Sequence, residues 1–133
     1  MNKRKGFFVI TGILIVLLIP LTYILWQYAN EALDVFVWHK QDYLITQEPL
    51  TYNSCKKYGN RANFNISFKG QVFEGQDGCL FAADSGDVVK VYFNKNDLSK
   101  NGIVWVLWRN LILQLLAFLG VVGYIIRKVY TYK

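Results

Sequence analysis

Two long apolar runs decide most of what this chain can become. Phe7 to Tyr28 (FFVITGILIVLLIPLTYILWQY) is 22 residues without a charge. As a helix it would extend ~33 Å, enough to cross a hydrocarbon core of about 30 Å. Ile103 to Ile126 (IVWVLWRNLILQLLAFLGVVGYII) carries one charge, Arg109. In a chain of 133 residues that is 53% hydrophobic and 18% charged, with a mean hydropathy of +0.20, these runs predict two membrane-spanning helices, 7–28 and 103–126. The first reads as an anchor, because a cleaved signal would have a shorter apolar region and a small-x-small site, which Ala29-Asn30-Glu31-Ala32 fits poorly. Disordered, coiled-coil and collagen-like chains are excluded by composition.

The net charge of +6 would suggest a nucleic-acid partner if it were gathered on one folded face. It sits at the two ends instead: Lys3, Arg4 and Lys5 precede the first run, and Arg127, Lys128 and Lys133 follow the second. The segment between Asn30 and Gly102 holds eight basic and nine acidic residues. Cations are retained on the cytoplasmic side, so 1–6 and 127–133 are expected in the cytoplasm and 29–102 outside it. Trp26 and Tyr28, with Trp105 and Trp108, then fall at the outer interface as an aromatic belt.

The only two cysteines, Cys55 and Cys79, lie in the segment expected to face an oxidising compartment, and a disulfide between them follows. Closing a loop of about 25 residues contributes roughly 3.5 kcal/mol in the chain-entropy model. The closely spaced thiols of a redox centre are absent.

Residues 30–40 could extend the first helix. Tyr43 to Tyr52 favours a strand, with Pro49 confining it to an edge or breaking it. In Ala62 to Phe68, Phe64, Ile66 and Phe68 alternate with Asn63, Asn65 and Ser67, the period of a strand with one buried face. Lys69-Gly70 turns the chain, Gln71 to Glu74 returns, and Gly75 to Gly78 turns again. Cys79 to Ala83 can form another strand, and Asp84-Ser85-Gly86-Asp87 leads into Val88 to Phe93. The expected fold is membrane α+β: two spans flanking a small antiparallel β-meander of four to five strands.

Phe68-Lys69-Gly70-Gln71-Val72-Phe73 and Gly86-Asp87-Val88-Val89-Lys90-Val91-Tyr92-Phe93 carry a resemblance. Set between two spans, this turn and closing strand look like those of a bacterial membrane-protein family of unknown function. That family's closing strand is usually followed by a Pro-x-x-Pro-like segment, where this chain has Asn94 to Leu98 without proline. The resemblance implies a fold and a topology, and brings no catalytic residues.

Chemistry is sparse. His39 is the only histidine, with Asp34 and Asp42 nearby, and reads as a solvated interfacial residue. Asp84 to Asp87 and Asn94 to Asp97 match no calcium loop and read as turns. Asn65-Ile66-Ser67 is a sequon only for a eukaryotic secretory protein. No metal site, cofactor, small-molecule substrate or catalytic set is expected.

Polar residues within the spans are functional candidates. Arg109 is expected to snorkel toward the outer headgroups. Asn110 and Gln114 share a helix face. Counting along the runs sets Asn110 level with Thr22, and Gln114 level with the turn where Pro20 frees the Val16 carbonyl, so these groups could lock the two spans together. The same face could line a pore or meet a partner's span, and Gly120 and Gly123 could permit close helix approach. The chain therefore reads as a non-enzymatic bacterial inner-membrane protein with a periplasmic domain. Its expected role is an accessory or protective subunit binding another membrane protein, an immunity or exclusion factor against a membrane-active toxin being one variant. The alternative is a self-assembling channel or transporter subunit.

Overall fold

The structure is a computed structural model that describes residues 2–57 and 59–132, so Met1, Tyr58 and Lys133, the last assigned above to the basic flank, lie outside the described residues. Helix α1 (Lys3–Leu33) is followed by a single π-helical turn (Asp34–Trp38) and a 3-10 turn (Lys40–Asp42). Then come β1 (Tyr43–Ser54), β2 (Arg61–Phe68), β3 (Gln71–Asp77), β4 (Val88–Asn94), β5 (Asn101–Ile103) and helix α2 (Val104–Tyr132). Two units result, one formed by residues 1–30 and 110–133 and the other by 31–109.

The first unit is helical. Both helices are long and apolar enough to cross a membrane, with α1 accommodating Pro20 inside its length. Partly covered residues recur every three or four positions, as Phe7, Thr11, Leu14, Leu18, Leu21, Leu25 and Tyr28 on one segment and Leu111, Gln114, Phe118, Val121 and Ile125 on the other. That spacing makes one narrow seam per helix, the pattern of an antiparallel pair. Phe7 and Tyr132 stack at one end with ring centroids 4.2 Å apart. A Cβ added to Gly12, Gly120 or Gly123 would meet nothing within 4 Å, so these glycines do not mark close helix approach.

The second unit is a curled five-stranded antiparallel sheet of order β3-β2-β1-β4-β5. Its long central strand changes partner along its length. Tyr43 to Pro49 pair with Asn94 to Val88 of β4, and Leu50 to Ser54 pair with Phe64 to Arg61 of β2, across an irregularity between Leu50 and Tyr52. The curl brings the outer strands together, with the Ile103 N–H donating to Asp77 Oδ2 at 2.8 Å. Leu50, Phe64, Ile66, Val91, Phe93, Ile103 and Val106 fill the interior. The alternation expected in β2 is observed: Ala62, Phe64 and Ile66 are buried between exposed or half-buried neighbours. Lys69 and Gly70 both take positive φ (49° and 77°), the tight hairpin turn that matches strand twist.

Four expectations change. The sheet is no simple meander, because β4 returns to pair with β1 instead of β3. Pro49 lies in the central strand; Leu50 donates toward the β4 side, to Asp87 O, so the Pro49 nitrogen faces the β2 side just before that ladder begins, and no hydrogen bond is lost there. Gly75 to Asp77 continue β3 instead of turning, and Gly75 is needed because a Cβ there would stand 2.4 Å from the Phe64 ring. Cys79 to Ala83 form no strand, for a reason that belongs to the site.

Candidate functional site

Residues 78–87 are held by side chains instead of a strand ladder. Cys79 is bonded to Cys55, closing the disulfide that the sequence suggested. Asn53, on β1, donates from Nδ2 to the carbonyls of Leu80 (2.9 Å) and Ala83 (2.6 Å), while its Oδ1 accepts from the Leu80 N–H (3.0 Å). One amide thus satisfies three backbone groups that a sheet would have satisfied. Asp84 and Asp87 close the following turn, where Gly86 takes φ +97°.

Fixed this way, the loop forms one wall of a groove of about 610 Å³ with the first turns of α2. Phe81 is 83% exposed at its lip, and Trp105 (62%) and Trp108 (38%) line the helix side. Trp108 also stacks on Phe36, centroids 5.4 Å apart. Arg109 reaches the 78–87 loop. Its guanidinium donates to the Cys79 carbonyl at 2.5 Å and lies 5.6 Å from the Phe81 ring centroid.

A second cluster joins acids and phenols. Tyr92 donates to Glu31 Oε1 at 2.6 Å, Tyr43 donates to Asp34 Oδ2 at 3.0 Å, and the His39 ring meets Asp34 Oδ1. A cavity of about 320 Å³ lies against Glu31, Asp34, Tyr43 and Tyr92. Burial, then the bond to Glu31, holds the Tyr92 phenol far above its ordinary value, and burial raises Tyr43 as well. Asp77 is also pushed up, mainly by burial, although the Ile103 and Gly78 N–H groups oppose the shift. In this arrangement the carboxylates accept from phenols that keep their protons. Among the described residues no group of three or more His, Cys, Asp or Glu could hold a metal ion.

The helical unit treats its polar residues differently from the expected lock. Thr22 is exposed and donates to Leu18 O of its own helix at 2.7 Å. Equal rise along the two helices from the Phe7–Tyr132 stack sets Gln114 level with Leu25 and Asn110 level with Ala29, more than a turn from Pro20 and Thr22 respectively. Gln114 lies in the seam with Oε1 buried and without a hydrogen-bond partner among the described residues, and Asn110 is half-buried. Trp26 is 61% exposed, and Tyr28 is partly covered.

The sequence gives Asn53 and Glu31 no role, and places Asp77 only in a turn and Tyr92 only in a closing strand. A lone Asn in a strand carries no local signal, and the role of Asp77 depends on Ile103, 26 residues further on. No protein-family model, no curated protein and no solved structure matches this chain.

Proposed function

We propose that this is a two-span envelope protein, with its basic flanks in the cytoplasm and its disulfide-bonded β-domain outside, that acts without catalysis as an accessory or protective subunit of another membrane protein. The carrying observation is a shallow, mostly apolar strip on α1, formed by Ile15, Leu18, Ile19, Thr22, Tyr23 and Trp26. Ile15, Ile19, Thr22, Tyr23 and Trp26 recur at helical spacing beside the seam that faces α2, Leu18 of that seam borders the strip, and Thr22 has turned its hydroxyl onto its own backbone, leaving a surface suited to a neighbouring span. The alternation of basic flanks and neutral loop supports the orientation, and the cysteine pair supports an oxidising outer compartment. The family resemblance enters this reading only through fold and topology.

The test is purification of a tagged chain from native membranes in mild detergent, followed by native mass measurement. A stoichiometric foreign membrane protein is expected, and Ile15→Trp with Ile19→Trp should fill the strip and release it while leaving the amount of chain in the membrane unchanged. A closed ring of identical chains would replace this reading by the channel one, with Arg109, Asn110 and Gln114 as the residues to mutate. An isolated chain would overturn both.

A further inference from the structure

We propose that the groove between the 78–87 loop and the first turns of α2 seats an anionic phospholipid of the adjoining leaflet, its phosphate on Arg109 and its upper acyl region between Phe81, Leu80, Trp105 and Trp108. The inference rests on α2 being a span, and needs no partner protein.

The lining chemistry is that of an anionic amphiphile. The walls are apolar, Lys90 and Arg109 are the charged residues among them, and no carboxylate contributes. Arg109 makes no ion pair with a carboxylate among the described residues. Its Cys79 bond uses one of five guanidinium N–H donors, so donors remain for a phosphate, which a guanidinium can grip with two parallel bonds. The volume of about 610 Å³ lies within the ordinary range of small-molecule clefts, about 300–1,000 Å³, room for a headgroup and the upper acyl region.

The groove is also held open by construction. Phe81 would lose its exposure if the loop could fold back, but the disulfide fixes Cys79 and the Asn53 amide fixes Leu80 and Ala83 on either side of it. An aromatic ring held 83% exposed by a covalent bond and three hydrogen bonds is a contact surface awaiting an apolar partner. Lipid is the occupant favoured by position. Val104 to Arg109 open the same helix whose continuation, from Leu111 to Ile126, is uncharged and, Gln114 apart, dominated by apolar residues, so a span entering the bilayer there carries the groove at headgroup level. Tryptophans at that level present an apolar ring to acyl chains and an N–H to the polar region.

The full chain would be reconstituted into phosphatidylcholine vesicles, with or without phosphatidylglycerol bearing a diazirine near the acyl carbonyl, and the labelled peptides mapped. Labelling of residues 80–83 and 104–109 is expected from the phosphatidylglycerol probe. Arg109→Gln should reduce it about tenfold, the scale of one lost charge-assisted contact, and Phe81→Ser should reduce it without touching the fold, since that ring packs on no core. Thermal unfolding and the intact disulfide check that each variant remains folded. Labelling confined to the middle of the spans, equal labelling by a phosphatidylcholine probe, or a second protein protecting these peptides in native membranes would overturn the proposal. Failure of the chain to resist carbonate extraction would overturn it together with the membrane reading, whereas inserted chain with unlabelled groove peptides overturns the lipid site alone.

Discussion

The β-domain and the helical pair are made from similar side chains and treat them in opposite ways. Phe64, Ile66 and Val91 are wholly buried, whereas Val16 and Ile19 of α1 leave well over half of their surface open. The glycines divide along the same line: Gly75 and Gly102 sit where a methyl group would collide with Phe64 and Tyr92, and Gly12, Gly120 and Gly123 face open space. The domain draws its stability from removing apolar surface from water. The helices bury only one seam each, which suits a segment whose solvent is hydrocarbon, where exposure of leucine costs nothing.

The sharpest way to break this contrast is truncation of equivalent apolar residues. Phe64→Ala should destabilise the β-domain by about 3–5 kcal/mol, while Ile13→Ala should leave thermal unfolding in detergent unchanged within about 0.5 kcal/mol. Equal losses would show that the helices also depend on a packed interior. Next in size, Cys55→Ser with Cys79→Ser should cost roughly 3.5 kcal/mol, read as protease sensitivity of the domain with membrane retention intact. Gly75→Ala should cost about 1–3 kcal/mol through overpacking against Phe64, and Gly120→Ala almost nothing, both measurable by thermal unfolding.

The smallest expected effect is a pH slope confined to the domain. Asp77 binds its proton more tightly folded than unfolded, so its stabilisation is complete below the ordinary 3.8 and is lost as pH rises through the higher folded value. Unfolding temperatures followed upward from pH 3.8 should show this decline, and Asp77→Asn should flatten it. Asp97, lowered by bonds from the Ser99 hydroxyl and N–H, acts in the opposite sense below 3.8.

What could be read from the sequence was local or covalent. The two-residue period in Ala62 to Phe68 specified β2 and its buried face, Lys69-Gly70 specified its turn, and two cysteines admitted one pairing. What escaped was long-range. Cys79 to Ala83 look extended until Asn53, far back in the chain, takes their backbone hydrogen bonds. Pro49 looked like an edge residue because the rule supposes a neighbour on both sides throughout, whereas β1 changes partner at that point. The Thr22 and Asn110 pairing assumed a register counted from the ends of the apolar runs, and the Phe7–Tyr132 stack sets another. Depth in an apolar run says nothing of the Cys79 carbonyl that Arg109 meets, 30 residues earlier in the chain.

No residue separates β5, which ends at Ile103, from α2, which begins at Val104. During synthesis, then, the strand that completes the curl is the last strand of the domain to appear, and the amide that Asp77 requires emerges together with the second apolar run. Closure of the sheet is thereby timed by the arrival of that run. A nascent chain arrested before Asn101 would present β1 to β4 with one edge unclosed.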